Sequence, residues 1–154
     1  MSSPEERLAA LGLELPAPRP PAGNYVDVIR TGSLLFLAGH GPVRPDGTMV
    51  QGKVGQDLDV PAAQAAARLV GLGLLATMRR ELGSLDEVHR IVKVLGMVNC
   101  APGFNQTPAV IDGCSNLLIE IFAEAGQHAR SAVGMAELPF NIPVEIELIA
   151  ELRP

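Results

Sequence analysis

The sequence predicts an α+β domain of two layers, a mixed β-sheet with two helices on one face. Three observations lead there. Two long segments repeat apolar residues at helical spacing between capping residues and terminal glycines, and several shorter runs rich in Val and Ile alternate as strands do. The order is hairpin, helix, strand, helix, hairpin, with no internal repeat. A chain of 154 residues is long enough for one real core and too short for two, so residues 1–154 are expected to form a single unit with 1–24 as a short helix and an arm.

Pro4 to Leu11 suits a short helix, with Ser3 as N-cap, Pro4 in the first helical position and Glu6 completing a capping box; Gly12 ends it. Pro16, Pro18, Pro20 and Pro21 then make 15–23 an extended arm. Tyr25 to Arg30 and Leu34 to Ala38 flank Thr31-Gly32-Ser33 and read as a hairpin. Pro45-Asp46-Gly47 marks a turn in the polar connection 43–57. Asp59 caps a helix with Pro61 in its first turn, which runs to Gly83 with Gln64, Arg68 and Arg79 on its wetter side. Val88 to Val98 is a long strand. Thr107 as N-cap and Pro108 in the first helical position open a second helix ending at Gly126, whose apolar stripe includes Val110, Ile111, Cys114, Leu117, Leu118 and Ile121. Ser131–Glu137 and Val144–Glu151 read as the two arms of a closing hairpin.

The composition narrows function. Acidic residues outnumber basic ones, 17 to 12, for a net charge of −5 with no basic stripe, so a phosphate backbone would be repelled and nucleic-acid binding is not expected. Cys100 and Cys114 sit in apolar runs and do not read as a disulfide framework, and Cys114 on its helical stripe reads as a small core residue rather than a nucleophile. His40, His89 and His128 are far apart, so no metal and no cofactor is expected. The charged start, MSSPEERL, is unlike a signal peptide, and no long uninterrupted apolar run suggests a membrane span. A cytoplasmic location is the expectation.

The closing segment carries the chemical reading. In its second arm Val144, Ile146, Leu148 and Ala150 point one way and Glu145, Glu147 and Glu151 the other. Matching apolar to apolar puts Val133 and Met135 on the core side. Arg130, Ala132, Gly134 and Ala136 then share the glutamates' face, a shallow floor with a guanidinium at its edge that invites a second subunit. Spacing alone favours an ordinary exposed Arg–Glu pair over a site.

Ala129-Arg130-Ser131, Leu138-Pro139 and Val144 to Ala150 resemble the C-terminal signature of the Rid family, the reactive intermediate/imine deaminases also called the YjgF or L-PSP endoribonuclease family, and the resemblance extends from Tyr25 onward. It implies a chorismate-mutase-like α+β fold, a homotrimer with ligand clefts between subunits, and hydrolysis of enamine or imine intermediates to 2-oxo acids and ammonia, as by a 2-iminobutanoate/2-iminopropanoate deaminase. By the same resemblance Arg130 would hold the substrate carboxylate, Glu145 would position the attacking water, and Tyr25, the Gly39 amide and Ser115 would line the substrate site. Three positions depart from the deaminase pattern: Ala38 replaces a common serine, His40 a glutamine, and Ser115 an asparagine. The rival readings are a non-catalytic trimer that binds small carboxylates, the ribonuclease label of some members, which the acidic composition does not favour, and a chorismate mutase, since fold alone does not carry function.

Overall fold

The computed structural model describes all residues 1–154. Helix α1 (Pro4–Ala10) precedes strands β1 (Val28–Thr31) and β2 (Leu34–His40), helix α2 (Val60–Leu82), strand β3 (Val88–Asn99), helix α3 (Thr107–Phe122), and strands β4 (Ala129–Met135) and β5 (Val144–Leu152). The strands form one sheet in the order β1-β2-β5-β3-β4. It is a mixed α+β fold with one sheet and three helices.

Local chemistry accounts for most boundaries. Ser3 and Glu6 form the reciprocal capping box of α1, Asp59 accepts the Ala62 N–H at the start of α2, and Gly83 ends α2 in the left-handed region at φ 83°. Gly32, at φ 58°, makes the tight β1–β2 turn in which Thr31 pairs with Leu34. Tyr25 lies just before β1 rather than in it. By length and composition α2 could cross a membrane, a feature the sequence reading did not find because charged residues interrupt the run; here half of its most apolar window is buried within the fold.

Two expectations fail at α3. Its N-cap is Gln106, without a side-chain bond, and Thr107 is the first helical residue, donating its hydroxyl instead to the Ala132 carbonyl at 3.0 Å. A tertiary partner thus outcompetes the local cap. The helix stops at Phe122 and a 3-10 turn completes the stretch to Gly126.

The closing hairpin is the larger correction. β4 and β5 do not pair; β3 lies between them, parallel to β4 and antiparallel to β5. A helix joins β3 to β4, and such a crossover sets neighbouring strands parallel, while the β4–β5 connection, with left-handed Phe140 and Asn141, is too long and too bent for a tight hairpin turn. The face assignment falls with it. Arg130 stands beside Val94, Ala132 beside Gly96 and Gly134 beside Val98, all on the helix-covered face, whereas Val133 aligns with Met97 and Glu145, and Ser131 with Leu95 and Glu147, on the other. The small residues of β4 therefore leave room for what covers this face: a side-chain carbon at Gly134 would meet Cys100 Sγ at 3.0 Å and Thr107 Cγ2 of α3 at 3.9 Å. Apolar matching misassigned them because β4 is an edge strand whose large residue, Val133, faces outward and is 39% exposed.

The core fills the space between sheet and helices with Leu35, Leu37, Ile91, Val94, Ile146 and Leu148 from the strands and Val70, Leu74, Ile111, Leu118 and Ile121 from the helices, all buried. Leu8 of α1 joins it, and Glu5 ties that helix to Arg79 and to the Leu85 amide. The opposite sheet face has no cover. Phe36, Leu95, Met97, Val133 and Ile149 lie on it among the glutamates, with a shallow groove of ≈ 300 Å³ near Val26, Ile29 and Phe36.

Candidate functional site

A cleft of ≈ 670 Å³ opens between the end of β2, helix α2, the proline arm and the β4–β5 connection. Tyr25, Gly39, His40, Thr77, Phe140 and Glu145 all line it. Three residues of the sequence-predicted site, Tyr25, Gly39 and Glu145, thus converge.

The β2–β5 register slips by one residue between Leu37 and His40, so Gly39 sits in a bulge. A side-chain carbon there would lie 2.9 Å from Glu145 Cδ and 3.1 Å from Oε1, so glycine is what allows the carboxyl group to rest against the β2 backbone. Burial raises the Glu145 pKa, and Glu147, two residues along the same face, adds to the rise. No hydrogen bond or cation offsets it, which leaves the carboxylate free to act on a ligand.

His40 is held at both ends. Its Nδ1–H donates to the Ala38 carbonyl at 2.7 Å, which makes Nε2 the acceptor of the Thr77 hydroxyl at 2.8 Å. Burial lowers its pKa, so the ring is neutral at this wall. Tyr25 is half exposed, and its hydroxyl accepts from the Ala22 N–H at 3.3 Å, tying the arm over the cleft. The floor beneath Phe140 and Ile142 is pinned by Asn99, fully buried, whose amide donates to Asn141 Oδ1 and the Ile142 carbonyl while its oxygen accepts from Lys53 at 2.7 Å.

Arg130 and Ser115 lie elsewhere, together. The guanidinium crosses onto α3, where Nη1 donates to Asp112 at 2.8 Å and Ser115 Oγ at 3.1 Å, and Nη2 to the Pro108 carbonyl at 3.3 Å. Ser115 is in turn 3.0 Å from His128 Nε2, and His128 Nδ1–H donates to the Gly126 carbonyl at 2.6 Å, so the Ser115 hydroxyl donates to the imidazole. Burial, then the Arg130 charge, lower the His128 pKa. Asp112 and His128 were missed from sequence, although His128 shares the parity of Arg130 and Asp112 precedes Ser115 by three residues on one helix face.

The expectation that Arg130 and Glu145 share a face is therefore wrong within one chain. Arg130 aligns across β3 with Leu148 and Glu145 with Val133, on opposite faces of the sheet. The two cannot approach one substrate without a second copy. No three His, Cys, Asp or Glu side chains are grouped to hold a metal ion. Cys114 is fully buried, its thiol pushed up to about 12.

Residues 5–152 match the family model described as "YjgF/chorismate mutase-like, putative endoribonuclease". Protein TCP17 of Trypanosoma cruzi is 41% identical over 147 residues, covering 95% of this chain and 92% of that protein. Among solved structures, protein Atu1372 of Agrobacterium tumefaciens, whose function is unknown, is 42% identical with a TM-score of 0.90 over 97% of this chain and 92% of that one. TdcF of E. coli with bound serine is 28% identical with a TM-score of 0.63 over 90% and 94%. With the family pattern matched along nearly the whole chain and the same fold in its relatives, this protein belongs to the YjgF/Rid family.

Proposed function

We propose that the protein hydrolyses reactive enamine or imine intermediates, releasing ammonia and a 2-oxo acid, and does so as a homotrimer whose neighbouring copies complete each site. The observation that carries this reading is the division of the site residues. The cleft of one chain holds Tyr25, Gly39 and an unpartnered Glu145, while Arg130 stands on the free edge strand β4 with its guanidinium against α3. If that edge of one copy meets the cleft of the next, a carboxylate-binding group and a base face the same substrate. The uncovered apolar sheet face supplies a surface for such association. The serine in the TdcF structure supports a ligand of similar chemistry, a small molecule with one carboxylate.

In this reaction the planar fork of Arg130 holds the substrate carboxylate. Glu145 takes a proton from water as the water oxygen bonds to the imine carbon, and the proton passes to the nitrogen. Glu145 then carries the hydroxyl proton of the carbinolamine to its amino group, the C–N bond breaks as the C=O bond forms, and ammonia leaves the 2-oxo acid. A carboxyl group whose pKa is raised by burial suits both halves of this transfer, being easier to reprotonate than an exposed one. The imine is generated in situ by an amino-acid oxidase and ammonia release is followed. Glu145→Gln is expected to cut turnover about a hundredfold or more while keeping 2-oxo acid binding, and Arg130→Ala to lose both; equal rates for Glu145→Gln and the parent refute the reaction.

A second reading, a trimer that binds small carboxylates without catalysis, is favoured by one observation: Ala38 and Ser115 stand where the deaminase pattern has a serine and an asparagine. Binding of a 2-oxo acid with no turnover of any imine would select it.

A further inference from the structure

The cleft beside Glu145 is larger than the proposed reaction requires. At ≈ 670 Å³ it lies well inside the range of about 300–1,000 Å³ that encloses drug-sized ligands, whereas the reacting part of a 2-imino acid is a handful of non-hydrogen atoms. One wall of the space is α2, which presents Leu69, Gly73 and Ala76 at helical spacing.

The glycines of the two long helices differ in what they touch. A side-chain carbon at Gly71 would be 2.8 Å from Leu117 Cδ2, and one at Gly113 would be 2.1 Å from the Gln64 carbonyl oxygen, so α2–α3 packing demands both. At Gly73 the only neighbour is His40 Cδ2 at 3.8 Å, an ordinary contact. A glycine within a helix weakens it relative to alanine, and here no packing requirement accounts for that cost. What the missing side chain does preserve is open volume in the cleft, next to the histidine adjoining Gly39.

We infer that Gly73 sets substrate size: the site takes 2-imino and 2-oxo acids with a large apolar side chain, which lies over Gly73 between α2 and the proline arm. The inference rests on the imine-hydrolase reading for its reaction and on the cleft alone for its ligand. The apolar chain is received by Leu69, Met49, Phe140 and Ile142, and the imine end lies toward Gly39 and Glu145.

The test compares imines generated from alanine, leucine and phenylalanine. The parent is expected to favour the phenylalanine-derived imine in kcat/KM by about tenfold or more over the alanine-derived one. Gly73→Leu should remove that preference, lowering the bulky substrate about tenfold and leaving the small one within about twofold. Gly73→Ala, which fits without a clash, should lower the bulky substrate alone, by a smaller factor, and covers the case in which the leucine variant does not fold. A parent preference for the alanine-derived imine, or equal losses on all three substrates, overturns the inference. If the parent hydrolyses none of them, the reaction fails and calorimetry decides the rest: tighter binding of phenylpyruvate than pyruvate, lost in either variant, upholds the size-setting role, and equal binding overturns it.

Discussion

Arg130 Nη1 lies 2.8 Å from Asp112 Oδ1, so the guanidinium expected to receive a ligand carboxylate already holds one from its own chain. The pair is partly exposed, with side chains 22% and 48% accessible, and pairs of that kind contribute about 0–1 kcal/mol. An entering carboxylate must share or displace Asp112. Asp112→Asn is therefore expected to tighten 2-oxo acid binding by up to roughly fivefold, the equivalent of about 1 kcal/mol. Titration calorimetry with phenylpyruvate measures it; weaker binding would mean that Asp112 orients the arginine rather than competing with the ligand.

Glu145 has a raised pKa, so the folded protein holds that proton more tightly than the unfolded chain. The associated stability is fully present below the ordinary value of 4.5 and is lost as pH rises through the folded value. At pH 7 the ionised group is a burden on the fold. Glu145→Gln should therefore raise Tm at pH 7 and lose that advantage near pH 4, while cutting turnover about a hundredfold or more. Thermal scans across this pH range, beside the ammonia assay, separate the two effects.

His40 and His128 show the opposite sign. Burial depresses both, so the unfolded chain binds protons that the folded chain refuses, and stability present above about pH 6.5 falls as pH drops toward the folded values. His40→Gln should flatten part of that decline in Tm between pH 7 and 5. Thr77→Val leaves the buried Nε2 without its donor and should cost about 1–3 kcal/mol in denaturant unfolding.

Gly113→Ala tests the contact between the two long helices. Its new carbon would fall 2.1 Å from the Gln64 carbonyl oxygen, an overlap that only separation of α2 and α3 relieves. The expected loss is about 3 kcal/mol, the upper end of the usual cost of overpacking. Urea unfolding measures it, and a midpoint equal to the parent's would mean that the helices sit farther apart than described.

Self-association is tested on the uncovered sheet face. Phe36 and Val133 are both 39% exposed there, and aspartate at either would place a charge in any interface that covers them. The parent is expected to sediment as a trimer and Val133→Asp as a monomer with unchanged far-UV circular dichroism. A monomeric parent sinks the shared-site reading.

Where a local interaction dictates structure, the chain was readable. The Ser3–Glu6 box, the Asp59 cap, Gly83 and the Gly32 turn each place an element boundary from residues a few positions apart, and the apolar stripe of α3 proved buried from Val110 to Phe122. Thr107 shows the limit of such reasoning. It has the chemistry of a cap, yet its hydroxyl goes to Ala132, a partner 25 residues away.

The sequence by itself determined the elements, the family motif and the identity of Tyr25, Gly39, Ser115, Arg130 and Glu145 as candidates. Only the tertiary structure decided which of them can meet. Side-chain alternation tells which residues of a strand share a face, but not which face, nor which strand lies alongside; those follow from long-range pairing. Once β3 inserts between β4 and β5, the parity of β4 is inverted relative to β5, and Arg130 and Glu145 part to opposite sides of the sheet.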